Sequence, residues 1–295
     1  MRFTFIAERC SDVAVAACCR AMQVTTSGFY EWRQRQADPA PRVREDHALM
    51  ATIVEVHRQS RGTYGSPRVH AELRLGANIR IGRKRVERLM RAAGIEGVYR
   101  RRRRGCTRRD PNAVPSDDLV NRQFSVDAPD RLWVSDITEH PTETGKVYLG
   151  IVLDAWSRRV IGWSIADHIR AELVVDALQM AIWRRNGPDG TIVHSDHGSQ
   201  YTSWAFGRRL RAAGLLGSMG SVGDAFDNAV AESFFGTLQL ELLDRQSRWS
   251  SREQLASAIF DYIESFYNRT RRHSSINMHS PIAYETLHTA AQAAA

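Results

Sequence analysis

Residues 131–219 constrain the fold of this 295-residue chain more than any other stretch. Short β-branched runs alternate there with helical periodicity. The pattern predicts strands over 131–138, 146–154 and 159–167, with a turn at 155–158 between the last two. A helix is predicted over 170–185, with Leu173, Val174, Ala177, Leu178, Ala181 and Ile182 on its inner face. Strands over 191–195 and 215–219, and helices over 203–213, 227–243 and 252–268, complete the series. The order β-β-β-α-β-α-β-α-α reads as an α/β fold, a mixed five-stranded sheet with helices packed on it. No internal repeat is visible.

The first 98 residues read as all-α. Helices are predicted over 12–22, with alanines and cysteines inward, and then through Tyr30, Trp32 and Arg35, with Thr26 or Ser27 as N-cap. Asp38-Pro39-Ala40-Pro41 breaks the pattern, and a longer helix follows over 44–59. After a glycine-punctuated loop at 61–65, Ser66 reads as a cap with Pro67 at the first helical position, in a helix ending near Gly76. The helix over 83–93 puts Val86, Leu89, Met90 and Ala93 on one face and Arg83, Lys84, Arg88 and Arg91 on the other. Gly94 closes it. Helix, short turn, basic amphipathic helix is a helix-turn-helix pattern.

Charge separates the two halves. Residues 1–122 hold 25 basic and 13 acidic side chains, and residues 123–295 hold 16 and 20. Seven arginines fall within 100–109, Arg101, Arg102, Arg103 and Arg104 among them. A run like this contacts nucleic acid through phosphate charge, so affinity should fall steeply with salt. No apolar run reaches the length of a membrane span, and the N-terminal apolar stretch is too short for a signal peptide. Cys10, Cys18, Cys19 and Cys106 form no C-x-x-C pair and read as thiols in a reducing, cytoplasmic compartment.

Three carboxylates carry the chemistry. Asp136 ends the first strand of the core within Trp133-Val-Ser-Asp-Ile-Thr138. Asp196 ends the fourth within His194-Ser-Asp-His-Gly-Ser-Gln-Tyr201. Glu232 lies within Asp227-Asn-Ala-Val-Ala-Glu-Ser-Phe-Phe-Gly236, with 35 residues between it and Asp196. Spacing alone is weak, because 33 acidic residues fill many offsets by chance. Around Glu232, Asn228, Gly236 and Gln239 share its stripe, while Val230, Phe234, Phe235, Leu238 and Leu242 form the apolar side.

With these contexts the chain resembles the OrfB subunit of IS-three-type bacterial insertion-sequence transposases, DDE recombinases of the retroviral integrase superfamily. Tyr64-Gly65, the helix from Arg83 and the arginine-rich run resemble the family's helix-turn-helix region. Tyr267-Asn268, Arg271-Arg272-His273-Ser274 and Ser280-Pro281 match its C-terminal signature. The resemblance implies an RNase H-like integrase core and a triad at Asp136, Asp196 and Glu232. It implies two Mg²⁺ ions, with Mn²⁺ as a substitute: Asp136 bridges both, Asp196 holds one and Glu232 the other. Water then cleaves at the element's end, and the freed 3′-hydroxyl attacks a second phosphodiester.

The implied organisation is an N-terminal helical segment (1–40), a helix-turn-helix-like DNA-binding region (44–98), an arginine-rich linker (99–122), the integrase core (123–287) and a tail (288–295). The expected partners are terminal inverted repeats, target DNA, an upstream OrfA product fused by frameshifting, and further copies of the chain on DNA. The expected location is the cytoplasm, at the nucleoid.

Candidate DNA contacts are Arg83, Lys84, Arg88, Arg91, Arg101 to Arg104, Asn228, Gln239, Arg271 and Arg272, with His273 beside them. The family often has lysine where this chain has Gln239. His194 and His197 flank Asp196 and are read as orienting groups rather than ligands, because Mg²⁺ matches imidazole poorly. Trp133 and Trp163 read as core. Two other readings share these residues: an RNase H-like nuclease that only hydrolyses, and a non-catalytic DNA-binding remnant or regulator.

Overall fold

The computed structural model describes residues 1–9, 13–99, 126–196, 198–219 and 229–293, with side chains described to residue 290. The arginine run at 100–109, the expected boundary near residue 120, Cys10, Cys106, His197 and Asn228 lie outside the described residues.

The chain opens on α1 (Arg2–Arg9), inside the expected helical segment although no helix is predicted at those residues, then α2 (Val15–Ala21) and α3 (Thr26–Ala37). These enclose a small core of Ile6, Cys18, Cys19 and Phe29. The N-cap of α3 is Thr25 rather than Thr26 or Ser27, and its hydroxyl accepts from the Gly28 amide at 3.2 Å. α4 (Pro41–Gln59) begins three residues before the expected start, because a proline is accommodated in the first turn, where its missing N–H is no loss. α5 (Ser66–Ala71) is entered from Gly65, so Ser66 is its first residue and not its cap. A π-helical turn, Glu72–Gly76, extends it. α6 (Arg83–Ala92) buries Val86, Leu89 and Met90, and Gly94 ends it at φ +67.

The second half is built on five strands: β1 (Leu132–Thr142), β2 (Gly145–Asp154), β3 (Val160–Ala166), β4 (Ile192–Ser195) and β5 (Leu216–Met219). Their spatial order is β3-β2-β1-β4-β5. The first three form an antiparallel meander, and β4 and β5 add in parallel beside β1. The helices are α7 (Ala171–Arg184), α8 (Trp204–Ala212), α9 (Ala229–Glu241), α10 (Arg252–Asp261) and α11 (Pro281–Ala293). A π-helical turn, Tyr262–Tyr267, prolongs α10, and α11 runs past the boundary expected at 287.

Strand alternation divides the core between two faces. On one face Trp133, Val152 and Val193 pack against α7 and α8. A β-carbon on Gly162 would stand 2.1 Å from the Ala177 carbonyl oxygen, so α7 lies directly on the β3 backbone. On the other face Val134, Leu149, Ile151 and Leu153 meet Val230, Phe234 and Leu238 of α9 and Ile259, Ile263 and Phe266 beyond it. Ile53, Tyr64, Val69, Leu73, Val86 and Leu89 join that same cluster. The apolar face of α4 to α6 is therefore covered by the sheet's own helices.

Candidate active site

Register places the first two carboxylates. In the parallel β1–β4 pair, Val134 stands opposite His194. Asp136 lies two residues further on, in mid-strand rather than at the strand's end because β1 continues to Thr142, and Asp196 lies exposed just past the end of β4, so strand alternation carries both toward the same face. That face is the one α9 covers, because Val134 shares its cluster with Val230 and Phe234. Glu232 stands in the first turn of α9, exposed, while its neighbours Val230 and Ala231 are buried.

The electrostatics follow from this convergence. Among the described residues no arginine or lysine pairs with Asp136, Asp196 or Glu232. Asp136 Oδ1 accepts from the Ile137 amide at 2.8 Å, and Asp196 Oδ1 from the Gly198 amide at 3.0 Å. Burial, then the charges of Asp196 and Glu232, push the Asp136 carboxyl up to about 7, against the holding effect of the Ile137 amide. As they stand, no three acidic, histidine or cysteine side chains among the described residues are close enough to hold one metal ion together. The donor set still suits a hard divalent cation. Mg²⁺ takes one or two carboxylates and completes its shell with water and phosphate.

Tyr201 braces this corner, a role not read from the sequence although the residue sits in the quoted motif. Its hydroxyl is 3.2 Å from Ser135 Oγ, which itself donates to the Ile151 carbonyl at 2.9 Å. Tyr201 therefore donates to Ser135 and ties the segment after Asp196 to the strand carrying Asp136. Burial raises its phenol well above the usual value, so it stays protonated. His194 is buried, with Nδ1 3.1 Å from Ser218 Oγ, and links β4 to β5.

The expected DNA contacts divide sharply. Arg83 and Lys84 are exposed on α6 and form no ion pair among the described residues. Arg88 is bound to Asp46 at 2.6 Å, and Arg91 pairs with Glu87 at 3.2 Å. Arg85 takes Asp46 at 2.8 Å and Glu45 at 3.2 Å, so the basic face is partly neutralised by α4. Gln239 is exposed and bonds Asp244 at 2.5 Å. Arg101 to Arg104 and Asn228 lie outside the described residues.

Arg271 is corrected outright: its side chain is 4% exposed and it grips Glu241 through two bonds of 2.7 Å. Arg272 is held by Glu72 at 2.6 Å and by the Met278 carbonyl at 3.2 Å. His273 is buried against the Tyr267 ring. Both arginines lie in a polar stretch of sequence, and only the tertiary fold supplies Glu241 and Glu72. Glu241 itself carried a signal, since a carboxylate on the apolar Phe234–Leu238 stripe needs a partner. Trp133 is fully buried, and Trp163 donates to Glu264 at 2.7 Å, as core residues do.

Residues 126–225 and 232–288 match the integrase core domain, and residues 44–103 match the HTH-like domain. The transposase InsF for insertion sequence IS3A of Escherichia coli K12 is 36% identical over 285 residues, 97% of this chain and 98% of that protein. The transposase for insertion sequence element IS629 of Shigella sonnei is 36% identical over 258 residues, 86% of each chain. Among solved structures, the simian T-cell lymphotropic virus intasome with PP2A regulatory subunit B56 gamma aligns at 13% identity and TM-score 0.45, over 79% of this chain and 73% of that one. The HTLV-2 integrase catalytic core in complex with magnesium aligns at 16% identity and TM-score 0.39, over 52% and 94%. Likeness to insertion-sequence transposases thus runs through helical region and core alike, and this chain belongs to the IS3 family of transposases, with an integrase catalytic core.

Proposed function

We propose that Asp136, Asp196 and Glu232 are the catalytic carboxylates with which this transposase cuts the ends of its insertion sequence and joins them to new DNA. The observation that carries this reading is Asp136 raised by the charges of Asp196 and Glu232, with no basic side chain among the described residues pairing with any of the three. Buried Asp154 and Glu241 have arginines beside them, and these three carboxylates have none among the described residues.

Asp136 and Asp196, side by side, are the groups that would hold a divalent cation, Mg²⁺ or Mn²⁺, with Glu232 completing a second position. When bound, such ions neutralise charge on the attacking and departing oxygens of the phosphodiester. The protein's own part is positioning. The β1–β4 pairing sets the two aspartates, Tyr201 and Ser135 hold the segment leading from Asp196, and α9 carries Glu232 on the same face of the sheet. Arg83 and Lys84 present free charge for DNA phosphate. Terminal repeats and target DNA are the substrates of this reading, an upstream-frame product and further copies of the chain are its partners, and the nucleoid is its place of action.

The test is an excision assay in cells. The chain is expressed with its upstream frame beside a marked copy of the element, and joined-end circles are counted for wild type and Glu232→Gln. Circles in wild type that vanish in the variant are expected. Equal circle counts in both would overturn the triad. Retained DNA binding with no circles in either would favour a binding-only protein, and nicked but unjoined ends a nuclease.

A further inference from the structure

α9 carries two glutamates with opposite surroundings. Glu232 is exposed in its first turn, and Glu241 is buried at its end. They stand nine positions apart, which is about two and a half turns and about 13 Å along the axis, so they project from opposite sides. Arg271 meets Glu241 in a two-pronged pair, Nε to Oε2 and Nη2 to Oε1, each at 2.7 Å. Arg68 of α5 adds a third contact to Oε1 at 3.2 Å, and the Tyr262 hydroxyl donates to Oε2 at 3.0 Å. Glu241 and Arg271 are 5% and 4% exposed.

This arrangement is expensive as a source of stability. A buried ion pair loses its hydration and is often no better than apolar side chains of the same size. What it adds is direction. The apolar stripe of Val230, Phe234 and Leu238 would tolerate some rolling of the helix, whereas two parallel charge-assisted bonds do not. The difference matters at Glu232. A roll of about 20° moves a carboxylate carried about 6 Å off the axis by about 2 Å. Reactive groups need placement within about 0.5 Å.

We propose that Glu241 is a positioning residue: gripped by Arg271 and Arg68, it fixes the rotation of α9 and thereby holds Glu232 at the catalytic face. The proposal rests on the reading of Glu232 as a catalytic carboxylate. Arg68 belongs to the helix-turn-helix-like region, so that region completes the grip and its docking reaches the catalytic helix. Tyr64 adds a second tie, accepting from the Arg272 amide at 2.7 Å and donating to the Thr270 carbonyl at 3.2 Å.

The test uses the full chain and four variants: Glu241→Gln, the apolar pair Glu241→Met with Arg271→Met, Arg68→Met, and Glu232→Gln as reference. Two quantities are read. One is Mn²⁺ binding without DNA, from loss of the free-ion electron paramagnetic resonance signal. The other is the Mg²⁺ concentration giving half-maximal cleavage of a duplex bearing the element's end. Thermal melting reports folding. Glu241→Gln is expected to weaken Mn²⁺ binding and raise the Mg²⁺ midpoint about tenfold, and Arg68→Met about threefold.

The apolar pair separates positioning from stability. It should fold, with melting lowered only by the Arg68 and Tyr262 groups left without Glu241, and still show the raised midpoint. Where Glu241→Gln does not fold, the apolar pair alone decides. A folded apolar pair with wild-type Mn²⁺ binding and Mg²⁺ midpoint overturns the proposal. If Glu232→Gln binds Mn²⁺ and cleaves as wild type does, the catalytic reading fails first, and that outcome is distinct from failure of the grip alone.

Discussion

Carboxylates at the start and in the middle of β1 are treated in opposite ways. At its start, Asp154 stands across from Trp133, fully buried. Its oxygens accept from the amides of Asp130 at 2.9 Å, Trp156 at 2.8 Å and Ser157 at 3.0 Å. Arg185 lies 3.6 Å away and also pairs with Asp130 and Glu285, while Arg159 takes Glu285 at 2.7 Å. In mid-strand, Asp136 feels the charges of Asp196 and Glu232, and no basic side chain among the described residues answers them. Asp154 has three amides and a guanidinium about it, whereas half-buried Asp136 has one amide and two like charges nearby. The first arrangement builds structure. The second favours a cation from outside, which is what a site for phosphate chemistry requires.

The largest expected effects would break this contrast if they failed to appear. Glu232→Gln should reduce end cleavage by at least about 10³-fold, some 4 kcal/mol of transition-state stabilisation, with melting unchanged. An active Glu232→Gln would place the chemistry elsewhere. Asp154→Ala should act on folding instead. It strands three amides, while Arg185 keeps Asp130 and Glu285, at a cost of about 3–5 kcal/mol, and thermal melting should show it. A mild change in midpoint would mean that the Asp154 end is not the structural one.

A smaller effect concerns pH. The Asp136 carboxyl ionises near pH 7 in the folded chain, against an ordinary value of 3.8. The unfolded chain therefore releases its proton first. The stability this group contributes is present below about pH 4 and is lost as pH rises toward about 7. Asp136→Asn should remove the loss. Partial exposure screens the repulsion, so the gain at pH 8 should be about 1 kcal/mol, or about 2–4 °C in the melting midpoint. Mg²⁺ should raise the wild-type midpoint at pH 8 and leave the variant's nearly unchanged. A variant that melts lower at pH 8 would contradict the unanswered charge.

The smallest effect sharpens the reading of α6. Replacing Arg83 or Lys84 by alanine should weaken DNA binding and lower its salt slope by about one each. Arg88→Ala should change the slope less, because Asp46 already neutralises that guanidinium at 2.6 Å. Filter-binding or anisotropy titrations across salt would rank the three, and an equal effect from all three would mean that DNA displaces the Asp46 pair.

Much of the core was legible along the chain. Strand bounds agree within a residue for β2 to β5, because alternation and turn residues are local signals. α6, with Val86, Leu89 and Met90 inward, followed from helical spacing in the same way. Errors fell where neighbours decide. Arg271 reads as a surface arginine beside Arg272 and becomes a buried partner of Glu241, 30 residues earlier. The cap of α3 moved to Thr25, and Ser66 became a first-turn residue, since a cap depends on which backbone leaves the helix.

The sequence by itself determined the order of strands and helices, the basic first half and the carboxylates in their motifs, all properties of residue type at short spacing. Tertiary structure alone decided which charges would be answered. It brought Arg185 to Asp154 and Arg271 and Arg68 to Glu241, left Asp136 beside Asp196 without a cation, and closed α4 to α6 over the sheet's helices. Pairing over such separations depends on which faces meet, and a chain read one residue after another carries no record of that.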